Sequence, residues 1–180
     1  MKKPQLATGS RLALCGAGIT LILAVGCSAG WQERLLSPDT YRLQLAWVAD
    51  QLAAPVPEMP KILISRAALY EHTNTQMIHA SLDRRSTIQA AYVPGLIILD
   101  QAGFDEGSSW DMGFLIHELV HHVQHMSGRI YPCPAARERE AYQLQNEWLV
   151  MMGHAPAFSD GFISQNSRCR NIREAAASGH

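Results

Sequence analysis

His117-Glu118-Leu119-Val120-His121 is the segment of this 180-residue chain whose residue types and spacing could do chemistry. Side chains four residues apart lie on one side of a helix, one turn apart, so the imidazoles of His117 and His121 can point at a single cation. Glu118 is rotated from His117 by roughly 100°. That places its carboxylate beside such a cation rather than on it, where it can take a proton from an attacking water and pass it to a leaving group. The pattern predicts metal-assisted hydrolysis, with zinc as the cation and Glu118 as the general base. The apolar Leu115, Ile116, Leu119 and Val120 would bury the rest of the helix and hold it rigid.

Two histidines leave zinc short of protein ligands. In the metzincin arrangement a glycine and a third histidine follow at fixed spacing; here those positions are Gln124 and Ser127, so that arrangement is excluded. A carboxylate from the next helix is the alternative, and Glu138 and Glu140 both offer one. His125 lies one turn beyond His121, but one cation does not easily reach three imidazoles spread over two turns. A fourth protein ligand such as His125 would close the coordination sphere and mark a structural site instead.

The segments from His117 to Gln124 and from Glu138 to Gln145 together resemble the gluzincin-type zinc peptidases, in particular exported bacterial zincin-like domains. The resemblance spans about residues 86 to 150. It implies that the ligand glutamate is followed, three residues on, by a small residue that lets two helices approach. Glu138 with Ala141 fits, and Glu140 does not. The implied zinc ligands are His117, His121 and Glu138. Some relatives place an Asp or Asn four residues after that glutamate to support a ligand histidine; Tyr142 stands there, and its hydroxyl could take the role. Tyr131, Tyr142 and His154 are the candidates for stabilising an oxyanion. The implied activity is peptide-bond cleavage in a peptide or protein. The implied substrate site is a sheet edge, for which Leu96–Asp100 is the candidate. A cell-wall amidase on the same site, or a non-catalytic binding or assembly protein with a structural metal, are the rival expectations.

The elements that must hold these residues are legible from periodicity. Ser37-Pro38-Asp39 opens a helix, and Tyr41, Leu45, Val48 and Leu52 give it one apolar face. The proline-rich run from 54 to 60 ends it. Lys61–Ile64 reads as a strand. Ser86–Val93 and Leu96–Asp100 read as a hairpin around Pro94-Gly95, where proline and glycine suit a type II turn. A helix from about Trp110 to Met126 carries the motif, and Gly128 stops it. A second long helix runs from about Ala135 to Met152, with Ala141, Leu144, Trp148 and Met151 or Met152 as its buried stripe. The tail from Gly153 is weakly patterned. The expected fold is α+β and zincin-like, with a small mixed or antiparallel sheet, the motif helix, and a glutamate-bearing helix after it.

Composition narrows the setting. Lys2, Lys3 and Arg11 precede an uncharged stretch from Leu12 to Gly30, which reads as a secretory signal over residues 1–29, with the domain over 30–180. Ala24-Val25-Gly26-Cys27 also resembles a lipobox, so a lipid anchor on Cys27 and a free terminus near Gly30 both remain open. The expected location is periplasmic or membrane-anchored. Beyond residue 30 there are 12 Lys and Arg against 16 Asp and Glu, a net charge of −4. No basic patch is present, which argues against a nucleic-acid partner. Cys133 and Cys169 are the two cysteines left for the exported part and most simply form one disulfide.

Overall fold

The computed structural model describes residues 33–77 and 89–169. The expected signal segment, Cys27 and the first residues of the expected strand from Ser86 lie outside the described residues. The chain begins with a short strand, Arg34–Leu35 (β1), and the helix Pro38–Gln51 (α1). Ser37 takes the extended N-cap conformation and Pro38 the first helical position, but the Ser37 hydroxyl makes no capping bond. Tyr41, Leu45, Val48 and Leu52 are all buried, as the spacing predicts. The Tyr41 hydroxyl donates to the Pro60 carbonyl at 2.6 Å, which fixes the proline-rich run against α1.

Lys61–Ile64 (β2) leads into a helix, Arg66–Met77 (α2), that the sequence pattern did not announce. Among its described side chains only Leu69 is buried, so no apolar stripe marks it. The hairpin follows as Ala90–Val93 (β3) and Leu96–Leu99 (β4), with Gly95 at φ +77° in the turn. The sheet order is β1-β2-β4-β3. β2 pairs with β4 in parallel, Ile62 opposite Ile97 and Ile64 opposite Leu99. The other two pairings are antiparallel, so the sheet is mixed.

This order corrects the expected substrate edge. β4 has a hydrogen-bonded strand on each side, so Leu96–Asp100 is interior, and β1 and β3 are the edges among the described residues. The reason is that α2 carries the chain over the sheet and returns β4 beside β2. Ile97 and Leu99 join the main core, while Ile98 alternates to the opposite face, where Leu69 of α2 is also buried.

The motif helix is Ser109–Met126 (α3). A 3-10 turn, Pro134–Arg137, precedes Glu138–Met151 (α4), so the second long helix starts three residues later than its apolar pattern suggests. Ala141, Leu144 and Leu149 are buried there and Trp148 partly so; Met151 and Met152 are exposed, which corrects the end of the expected stripe. The tail folds further into Asp160–Asn166 (α5), capped by the Ser159 hydroxyl on the Phe162 N–H, with Ile163 buried. Cys133 and Cys169 form a disulfide. The chain is thus an α+β domain with five helices and a four-stranded sheet among the described residues. None of these helices is long and apolar enough to cross a membrane.

Candidate metal centre

α3 is held at both ends and on most of its circumference. The Ser108 hydroxyl accepts the Asp111 N–H at 3.2 Å, and Asp111 places a negative charge in the first turn, where the helix dipole favours it. At the other end Gly128 adopts φ +66° and returns its N–H to the His125 carbonyl. Leu115, Ile116, Leu119 and Val120 are fully buried, so the helix is locked against rolling. α4 lies close because small residues stand at the contact. A Cβ on Gly113 would sit 3.2 Å from Leu149 Cδ2, and Ala141 is fully buried. Trp148 Nε1 donates to the Ser109 carbonyl and ties the two helices again at the start of α3.

This packing brings His117, His121 and Glu138 together. The two Nε2 atoms are 3.2 Å apart, and Glu138 Oε2 lies 3.3 Å from His117 Nε2 and 3.2 Å from His121 Nε2. Such a near-equilateral triangle has the edge length expected of a tetrahedral zinc site, about 3.3–3.4 Å for bonds of 2.0–2.1 Å. Among the described residues it is the one cluster of metal-ligating groups.

Two glutamine amides set the protonation of the imidazoles. His117 Nδ1 donates to Gln145 Oε1 at 3.1 Å, and His121 Nδ1 donates to Gln124 Oε1 at 3.0 Å. The orientation of Gln124 is fixed because its Nε2 donates to two acceptors, the Arg137 carbonyl and Glu140 Oε2. With the proton on Nδ1, each Nε2 presents a lone pair to the triangle. Two such nitrogens and a carboxylate oxygen are all acceptors, so the triangle must hold a cation or take up a proton. When a proton rather than a cation occupies the triangle, burial opposes the charge on Glu138, yet hydrogen bonds from His117 and His121 hold its carboxyl well below the usual range. For His121, burial likewise opposes the charged form, and Glu138, Glu118 and Gln124 outweigh it and raise the pKa. The donor set and its spacing fit zinc.

Glu140 stands apart. Its carboxylate accepts from Arg129 Nη1 at 2.8 Å, from Gln124 and from the Tyr131 hydroxyl. Tyr131 is thereby engaged away from the triangle, and burial followed by the Glu140 bond pushes its pKa up to about 12. Tyr142 meets His117 through its ring, at 4.8 Å between centroids, and packs on Phe158 and Phe162. The support expected of its hydroxyl comes instead from Gln145. Burial, then the carboxylates of Glu138 and Glu118, push Tyr142 up to about 12. His154 Nε2 pairs with the Ser109 hydroxyl at 2.7 Å. None of the three oxyanion candidates lines the cleft beside the triangle. His125 is exposed and outside the triangle, whereas His122 is buried and donates from Nε2 to the Glu58 carbonyl at 2.7 Å.

The cleft itself measures about 270 Å³ and is lined by the triangle together with Glu118, His72, Thr73, Tyr92 and Arg137. Glu118 is 7% exposed, and its carboxylate has no hydrogen-bond partner among the described residues. His72 and Thr73 line the cleft from α2, a helix with no apolar stripe, so no pattern in the sequence points to them. Gln145 could have been found, since it lies two turns from Glu138 on the face that carries Ala141.

Fold and site define a mixed-sheet α+β domain with a His/His/Glu cluster between two packed helices. The chain belongs to a family described as a domain of unknown function (DUF6647), matched over residues 54–174, a span that includes all three members of the triangle and Glu118. No curated protein and no solved structure matches it.

Proposed function

We propose that this chain is an exported zinc-dependent hydrolase on a zincin-like fold, a gluzincin-type metallopeptidase acting on a peptide or protein. The observation that carries the reading is the triangle of His117 Nε2, His121 Nε2 and Glu138 Oε2, bordering a cleft that Glu118 also lines. Three protein donors leave a fourth position open, as catalytic zinc sites do, and a purely structural site has no use for a buried base beside it. Zinc held there would polarise a scissile carbonyl and bring the pKa of water towards neutrality.

The other parts are supplied by the chain. Glu118 accepts the proton of the attacking water and returns it to the leaving amine. His72, which lines the cleft from α2, is our candidate to donate a hydrogen bond to the carbonyl oxygen as it gains charge. The outer edge of β3, whose Ala91 and Tyr92 line the cleft, offers backbone groups to an extended peptide. Gln124 and Gln145 keep both imidazoles in one tautomer. The Cys133–Cys169 disulfide supports an oxidising compartment, whether the chain is free or anchored through a lipidated Cys27.

The test is Glu118→Gln in the full chain. It is expected to keep bound zinc and to lose peptide hydrolysis by at least about a hundredfold. A variant that keeps zinc and full activity removes Glu118 from the mechanism.

A further inference from the structure

Beside the cleft lies a second pocket of about 340 Å³ that shares Tyr92, His121 and Arg137 with it. No carboxylate lines this pocket; its remaining polar side chains are Gln124, His125, Arg129 and Tyr131. Glu140 is engaged by Arg129, Gln124 and Tyr131, so the charge of Arg129 is matched. Arg137 is different. Its one ionic contact among the described residues is 3.5 Å from Nε to Glu138 Oε1, and the other oxygen of Glu138 faces the two imidazoles. Its backbone is nevertheless fixed, because Gln124 Nε2 donates to the Arg137 carbonyl at 3.0 Å. A guanidinium with a held backbone, at the junction of two pockets, lacks a partner of matching geometry.

We infer that this second pocket is a carboxylate-binding subsite anchored by Arg137, so that the preferred peptide carries a carboxylate next to the bond cleaved. The inference rests on the peptidase reading above and deepens it. Arginine binds a carboxylate through two parallel N–H bonds, which fixes direction as well as charge. His125 and the Tyr131 and Tyr92 rings complete a wall in which the two nearest carboxylates, Glu138 and Glu140, are already engaged by other side chains. The carboxylate can be that of an acidic side chain or of a free C-terminus, and the two sources share this chemistry.

The experiment measures binding by calorimetry to the full chain carrying Glu118→Gln, which stops turnover. Two matched pairs of short acetylated peptides serve as probes. One pair is tetra-alanine with a free carboxylate or with a terminal amide. The other is an amidated alanine peptide with an internal glutamate or glutamine. In at least one pair the acid is expected to bind on the order of tenfold more tightly than its neutral match, and that pair names the source. Arg137→Gln is expected to abolish the difference and Arg137→Lys to keep part of it. Equal binding of acid and neutral peptides in both pairs overturns the inference. So does a preference that survives Arg137→Gln, since the carboxylate is then bound elsewhere, for example on the cation. Hydrolysis by the unsubstituted chain is read separately. A carboxylate preference without any hydrolysis would sink the peptidase reading and leave the subsite standing; indifferent hydrolysis of all four peptides would do the reverse.

Discussion

The Nδ1 of His121 lies 3.0 Å from Gln124 Oε1, and the other end of that amide is held by the Arg137 carbonyl and Glu140. Gln124 therefore couples the tautomer of one imidazole on α3 to the turn that delivers Glu138 on α4. Gln145 does the same for His117 from within α4. Removing a partner of this kind costs roughly 10- to 100-fold in metal affinity. Gln124→Ala and Gln145→Ala are each expected to weaken zinc by that amount, read by competition with a chelator of known affinity, while the folded circular dichroism signal persists. Unchanged affinity in both would mean that the amides do not orient the imidazoles.

Gly113 leaves little side-chain space between α3 and α4. A valine there would press its Cβ and two methyl groups against Leu149, whose Cδ2 already lies 3.2 Å from the Cβ position. Overpacking of this sort costs about 1–3 kcal/mol. Gly113→Val is expected to lower the thermal midpoint and to weaken zinc binding together, because the same helix separation sets the triangle. Loss of stability with unchanged zinc affinity would uncouple the two.

The disulfide closes a loop with a sequence separation of 36 around the 3-10 turn, α4 and α5. Constraining a loop of that length in the unfolded chain is worth about 4 kcal/mol in the chain-entropy treatment. The double variant Cys133→Ser, Cys169→Ser is expected to show a clear fall in urea midpoint at pH 7. An unchanged midpoint would mean that the tail contributes nothing to the stability of the domain.

Asp100 at the end of β4 accepts two bonds from Arg66, both at 2.9 Å, and one from the Ala102 N–H. Its carboxyl is held below the usual range by the Arg66 bond first, with burial opposing. A carboxylate depressed in the folded state stabilises the protein above its unfolded pKa, and that contribution is lost as the pH falls through the folded value. The chain is thus expected to exceed Asp100→Asn in stability at pH 7, with the gap closing below about pH 4. A gap that stays constant from pH 7 to pH 3 would show that the charge of Asp100 is not the source.

Much of this arrangement is written locally in the sequence. The apolar spacing of α1, the turn at Pro94-Gly95 and the limits of α3 follow from side-chain periodicity and from residues that set backbone angles, and those elements form where the pattern places them. What is not local is less legible. α2 buries little, so its residues carry no stripe, and without it the parallel pairing of β2 with β4 has no visible cause. Periodicity alone therefore puts Leu96–Asp100 at a sheet edge, where the structure has β3. The same dependence on tertiary contact explains the tyrosines. Nothing near Tyr131 or Tyr142 in sequence says that one will meet Glu140 and the other the ring of His117. Glu138 and Glu140 are equivalent by residue type, and only the rotation of α4 against α3 turns the first towards the imidazoles and the second towards Arg129.

The most direct test of the proposed centre is the zinc content of the purified chain and of three variants, measured by elemental analysis after saturation and removal of free metal. About one zinc per chain is expected in the unsubstituted protein and in Glu140→Ala, with loss in His117→Ala and Glu138→Ala. A chain that holds no zinc after saturation, or that keeps it without Glu138, would contradict the centre described here.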